Sequence, residues 1–294
     1  MTGAISEPLA TYLELRESTP EGDEAAGLSH KAGGQVLLHV LELAAYGEPR
    51  GGVTIVHDAG DHGGRYLGAA RALAEERLAV ALPDLRGHGR SEGERGHSAG
   101  LNEVLRDLDA VQEHLAYRLP IAPKALVGIG LGALYALAYA IERPGQLAAL
   151  ALLAPRWKPS FEMPRAGGVL ARFKKPAPNQ PGRIGIDPAQ LTADPAEQRR
   201  WREDPLVHDA ITLRAASQAA EIAERYGRRL GELDLPVLLM HGSRDVVSDP
   251  AESRKRAAGR VELEIREEGL HDLLHGPDGR EVAEELRAWL AGAV

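Results

Sequence analysis

Short apolar runs alternate with helix-like stretches along most of this chain, and that rhythm constrains the fold more than any other feature. Gly52–His57 is a run of strand length, and Arg65–Glu76 after it reads as a helix. Leu78–Leu82 precedes a loop and a helical stretch over Asn102–Tyr117. Ala125–Gly130 precedes Ala133–Glu142, and Leu147–Ala154 follows. Pro236–His241 and Val261–Ile265 are later runs, Val36–Leu43 an earlier one, and Arg280–Leu290 closes as an amphipathic helix. Strands alternating with helices make βαβ units. The expected class is therefore α/β: a mostly parallel central sheet with helices on both faces. Residues 18–34, rich in Gly, Glu, Ser and Pro, read as a turn or loop.

The rhythm breaks between Arg156 and about Glu224, where prolines punctuate loop-like and helical pieces. Such a stretch is too long for a simple connection in a compact domain. The expectation is an α/β core over 1–155 and 225–294, with a cap inserted over 156–224. No run approaches the roughly 20 apolar residues that span a bilayer. The first residues lack a basic start followed by an apolar run, so no signal peptide is expected and the default location is the cytoplasm. A net charge of −8 argues against a nucleic-acid partner. Cysteine is absent, which excludes thiolate nucleophiles and cysteine-ligated metals.

In open α/β sheets, ligands bind beyond the carboxyl ends of the strands. After the run at 125–129 comes Gly128-Ile129-Gly130-Leu131-Gly132 and then a helix. This has the position and context of a G-x-S-x-G nucleophile elbow, with Gly130 where serine belongs. Asp245 follows the run ending at His241, and His271 follows the run ending at Ile265. The order elbow, acid, histidine is that of an α/β-hydrolase triad.

Here the chain resembles the monoacylglycerol lipase and lysophospholipase-like branch of the α/β-hydrolases, from about Gly34 to Leu290. The resemblance rests on HDAGDHGGRY (57–66), PDLRGHGRSEGERG (83–96), DPLVH (204–208), HGSRDVVSDP (241–250) and Leu270-His271. It implies Asp245 as triad acid, His271 as triad base, and the N–H groups of Ala59 and Leu131 as an oxyanion hole. It implies no cofactor and no metal. Two departures matter. Gly130 has no side chain to carry an acyl group. His57-Asp58 replaces the family's His-Gly, putting a carboxylate beside the place where an oxyanion would develop, against the electrostatics of acyl transfer. Hydrolase-fold proteins of the N-myc downstream-regulated group also carry glycine at the elbow.

None of the ten serines lies in another strand–turn–helix elbow, and Ser243, two residues before Asp245, reads as a turn residue. An elbow holds its central residue in a sparsely populated conformation that glycine adopts without steric cost. The His57-Asp58-Asp61-His62 cluster suggests a metal site at first sight, but an acid and a histidine at 61 and 62 belong to the family pattern. Asp84, Arg86 and His88 read as a structural loop. Arg156–Lys175 carries six basic residues against one acidic, with Trp157, Met163, Phe161 and Phe173. That composition suits contact with a membrane surface. The plainer reading packs the apolar members on the core and leaves the charges solvated.

The sequence thus leads to a catalytically impaired hydrolase-fold protein that binds an acyl-bearing or small apolar ligand, such as a lipid or ester. Its alternatives are a hydrolase using water activated by His271 with Asp245 or Asp58, and a non-catalytic interaction protein.

Overall fold

The computed structural model describes residues 7–16, 35–98, 100–164 and 177–294; the expected loop at 18–34 lies outside them. Ten strands and eight helices are present among the described residues. The strands are β1 (Leu9–Arg16), β2 (Gln35–Leu43), β3 (Gly51–Val56), β4 (Leu78–Pro83), β5 (Lys124–Ile129), β6 (Ala149–Leu153), β7 (Pro181–Arg183), β8 (Ala210–Thr212), β9 (Val237–Gly242) and β10 (Val261–Arg266). The helices are α1 (Leu67–Glu75), α2 (Leu101–Arg118), α3 (Leu131–Glu142), α4 (Pro188–Leu191), α5 (Pro195–Glu203), α6 (Leu213–Gly227), α7 (Pro250–Arg256) and α8 (Gly279–Ala293).

Eight strands form one sheet in the order β1-β2-β4-β3-β5-β6-β9-β10. β1, β2 and β4 pair antiparallel, and every pairing from β4 to β10 is parallel. The central strands read as continuous apolar runs because helices cover both faces. Side-chain alternation then sorts each strand between two cores. Val53 and Ile55 of β3, Ala125 and Val127 of β5, and Leu238 and Met240 of β9 face the layer of α1 and α8. Leu126, Leu150, Leu152 and Leu239 face the layer of α2, α3 and α6. α3 is apolar nearly all round, as a helix buried against both sheet and neighbours must be.

Between β6 and β9 the chain leaves the sheet. This excursion contains the two-stranded antiparallel pair β7–β8 and helices α4 to α6. α6 lays Ala219, Ile222, Ala223 and Tyr226 into the same core as α3. The short pair is tied to the loops above the sheet: the His208 N–H donates to the Gly60 carbonyl (2.9 Å), and the Thr212 N–H to the Gly96 carbonyl (3.0 Å).

Candidate active site

Parallel strands aim their carboxyl ends the same way, so the loops after β3, β5, β6, β9 and β10 converge. They bring Asp58, Gly130, Arg156, Asp245 and His271 together. The turn after β5 is a formed elbow. Gly130 caps α3 at φ 57°, ψ −113°, in the positive-φ region where a side chain is strained. A Cβ on Gly132 would stand 2.3 Å from the carbonyl oxygens of Val56 and His57, so the helix start lies directly against β3.

The acid–base half is complete. His271 Nδ1 lies 2.7 Å from Asp245 Oδ2. Asp245 Oδ1 accepts the N–H groups of Val247 (2.8 Å) and Ser248 (2.9 Å), and its Oδ2 also contacts His241 Nε2 at 3.0 Å. Behind this pair stands a residue the sequence reading passed over. Ser253, fully buried, accepts the Trp157 indole N–H at 2.7 Å and sits 2.7 Å from His241 Nδ1. All partners are satisfied when Ser253 donates to Nδ1 and His241 donates from Nε2 to Asp245. Burial pushes the Asp245 carboxyl up, but the His271 charge and the hydrogen bonds outweigh it and hold the group well below the usual range.

The elbow side of the centre is occupied. The expected oxyanion donors, Ala59 and Leu131, do point at one place, and that place is filled. Asp58 Oδ1 accepts the Leu131 N–H at 2.6 Å and the Ala59 N–H at 2.7 Å. A carboxylate beside the hole was expected; the structure corrects this to a carboxylate within it. A Cβ built on Gly130 would lie 2.2 Å from Asp58 Cγ, so the carboxylate stands where the elbow side chain belongs. Gly130 and Asp58 therefore depend on each other: the carboxylate fits only because residue 130 has no side chain.

Arg156 is the third part. It was expected among the solvated charges of the inserted segment, and that is corrected too: only 2% of it is exposed. Its Nε stands 2.8 Å from Asp58 Oδ1 and its terminal nitrogen 2.5 Å from Oδ2. His271 Nε2 lies 3.3 Å from Oδ2 on the other side. Burial opposes ionisation of Asp58, yet Arg156 and His271 outweigh it and hold the carboxyl well below the usual range. Burial likewise pushes the His271 imidazole down, but Asp245 and Asp58 raise it to about 9. At neutral pH the centre therefore holds two carboxylates and two cations in alternation. A buried ion array is tolerable in this form, with every charge paired and hydrogen-bonded.

Above the centre lies a narrow cleft whose outline, open mouth included, is about 430 Å³ and whose free space is about 20 Å³, room for about one water. Ile129, Ile184, Ile186, Leu191 and Trp201 give it apolar walls, and His271 and Asp58 lie at its floor.

The other candidates are held in different roles. His57 donates from Nδ1 to the Asp58 carbonyl (2.7 Å) and accepts the Leu85 N–H on Nε2 (2.9 Å), so both nitrogens are committed. Its ring meets that of His88 at a tilt of 52°, and His88 meets His208 at 42°. His62 pairs with Asp204 at 2.9 Å. Asp84 accepts the N–H groups of Gly63 and Arg90, as a structural loop residue does. Ser243 accepts the Glu268 N–H in its turn. Trp157 is buried in the main core. Lys158 pairs with Glu252, while residues 165–176, which carry the rest of the basic segment, lie outside the described residues.

The sheet, the elbow after β5, and the acid and histidine after β9 and β10 define an α/β-hydrolase. The profile of the family described as serine aminopeptidase, S33, matches residues 47–278, and the chain belongs to that family. A monoacylglycerol lipase of Mycolicibacterium smegmatis is 27% identical over 249 residues, covering 83% of this chain and 89% of that protein. The human monoglyceride lipase is 32% identical over 207 residues, covering 69% of this chain and 68% of that protein. The solved monoacylglycerol lipase of Paleococcus ferrophilus superposes with a TM-score of 0.76 at 26% identity, covering 87% of this chain and 99% of that one.

Proposed function

We propose that this protein is a monoacylglycerol lipase-like α/β-hydrolase that has lost acyl transfer and uses its cleft to bind a small apolar or acyl-bearing molecule. One observation carries the reading: a carboxylate hydrogen-bonds both oxyanion donors, at 2.6 and 2.7 Å, beside an elbow without a side chain. Acyl transfer needs a nucleophile and a hole free to receive developing negative charge. Neither is available. In a comparable triad enzyme, losing the nucleophile alone costs about 10⁶ in turnover.

The same geometry weighs against hydrolysis by activated water. A general base needs a free lone pair at the working pH. With its imidazole raised to about 9, His271 is protonated and already shared between two carboxylates. The inserted segment over 156–224 acts in this reading as a cap whose apolar side chains receive the tail of the ligand. The names of the relatives favour a lipid or ester as that ligand.

The test is hydrolysis of p-nitrophenyl esters and monoacylglycerols together with labelling by a fluorophosphonate. Turnover at the buffer level and no labelling are expected. Turnover within tenfold of an ordinary esterase would refute the reading.

A further inference from the structure

The eight-stranded sheet has two edges, and the sequence treats them differently. β10 (VELEIR) carries a charge at every second position. α8 holds these charges: the Arg266 guanidinium meets Glu281 and Glu285, and the Trp289 indole N–H donates to Glu262 at 3.1 Å. Charged side chains along an edge strand discourage pairing with another chain. β1 (LATYLELR) lacks that protection. Its charges, Glu14 and Arg16, lie at one end, and Leu9–Leu13 is uncharged. Among the described residues, no backbone–backbone hydrogen bond outside the β2 ladder involves Leu9–Arg16. Alternate N–H and C=O groups of the strand therefore point outward, open to another strand. Exposed apolar side chains gather on the same edge. Among the described residues six large ones are exposed, and three of them, Leu9, Tyr12 and Leu37, belong to β1 and β2.

We infer that β1 is a homodimer interface, in which two copies of the chain pair β1 with β1, antiparallel, about a two-fold axis at Tyr12. The residues of the strand select that register. With the axis at Tyr12, Leu9 faces Leu15 of the second copy, Thr11 faces Leu13, Ala10 faces Glu14, and the two Tyr12 rings face each other. Leu9, exposed in the single chain, then lands on a leucine that packs against the core. The two Glu14 carboxylates stay four residues apart along the ladder, about 13 Å. An axis at Leu13 would set Tyr12 against Glu14 and Ala10 against Arg16, with the two Glu14 side chains as diagonal neighbours within reach of each other. An axis at Thr11 would set Leu15 against Glu7. Only the Tyr12 axis matches apolar to apolar on both faces while keeping like charges apart. Both copies use the same surface, so the contact closes at two chains and joins their sheets into one. The interface lies on the β1 edge and leaves the reading of the β3–β5 elbow untouched.

The chain has no cysteine, so a single introduced thiol can form a disulfide only between two copies. Opposed residues of an antiparallel pair have Cα atoms about 4.5 or 5.5 Å apart, within disulfide range. Mild oxidation should convert Tyr12→Cys largely to a covalent dimer on a non-reducing gel. Leu15→Cys should stay monomeric there, since its two copies lie about 20 Å apart along the ladder. In sedimentation velocity the native protein should run at twice the chain mass. Leu9→Lys with Tyr12→Lys should run at the mass of one chain, with its circular dichroism unchanged because both side chains are exposed. If the double variant does not fold, the two cysteine variants decide alone. A native protein that stays monomeric at every concentration, its edge closed within the chain or left bare, overturns the inference. So does a folded dimer that survives both lysines, which would place the contact elsewhere. Crosslinking of Leu15→Cys in place of Tyr12→Cys overturns the Tyr12 axis.

Discussion

The two halves of the centre are built differently. On the β9–β10 side, His271 and Asp245 keep the contact a catalytic pair makes, and His241, Ser253 and two backbone amides support it. On the β3–β5 side, the elbow carries no side chain and the space beside it is filled by Asp58, paired with Arg156. The contrast has a physical origin. The absence of a side chain at Gly130 leaves only a small gap, which the Asp58 carboxylate fills. Removing His271 or Asp245 would leave a buried charge unpaired, at a cost of about 3–5 kcal/mol. A pair embedded in buried hydrogen bonds thus contributes to stability whatever its chemistry.

The largest expected effect comes from returning the nucleophile. Gly130→Ser places a Cβ in overlap with Asp58 and in a positive-φ conformation. Strain of about 1–3 kcal/mol then adds to the loss of a buried ion pair, about 3–5 kcal/mol. Chemical denaturation should show the sum, with esterase rates still at background. Gly130→Ser with Asp58→Gly relieves the overlap and frees the amides. It should regain some stability and some fluorophosphonate labelling. An inert but folded double variant would show that His271 and Asp245 no longer serve as base and acid.

Arg156→Met should cost about 3–5 kcal/mol, because it leaves Asp58 buried beside only one cation. Pairing it with Asp58→Gly should cost clearly less than the two single changes summed. Additive costs in that double-mutant cycle would mean that the two residues do not act as a unit.

The charge on His271 ties the halves together and makes their joint stability depend on pH. Its folded pKa, about 9, lies above the ordinary value of 6.5, so the native state holds the proton more tightly. That stabilisation is complete below pH 6.5 and is lost as pH rises from 6.5 through 9, by about 3 kcal/mol. The three adjoining histidines, His57, His88 and His208, have the opposite sign. Burial keeps His57, His88 and His208 neutral, His208 down to about 4, so their contribution falls as pH drops below 6.5 towards 4. Stability should peak near pH 6.5, and the alkaline limb alone should flatten in His271→Gln. An unchanged alkaline limb in that variant would remove the imidazolium from the centre.

The smallest effect belongs to the supported half. Ser253→Ala leaves the Trp157 N–H and His241 Nδ1 unpaired in the core, at about 1–3 kcal/mol. A loss below about 0.5 kcal/mol would show that this support is dispensable.

The sequence by itself determined the sheet, the elbow and the order of acid and histidine. These depend on local patterns: apolar runs of strand length, glycines at a tight turn, and residues just beyond strand ends. It did not reveal β1, an edge strand with Leu9 and Tyr12 exposed, because its alternation is confined to Leu13 and Leu15, which pack on the core beside Leu38 and Val40, and that is too short a period to stand out. It also missed Arg156, which stands 98 residues from its partner and looks like any cation at the start of a basic segment. Two signs were present, an acid at 58 and a glycine at 130, but their meaning lies in distance, not in spacing along the chain. The order β3-β5-β6 sets the ends of those three strands side by side, and only then do Asp58, Gly130 and Arg156 become neighbours. Periodicity encodes which face a residue takes, while the pairing of buried charges depends on which strand ends meet, and the tertiary structure alone decides that.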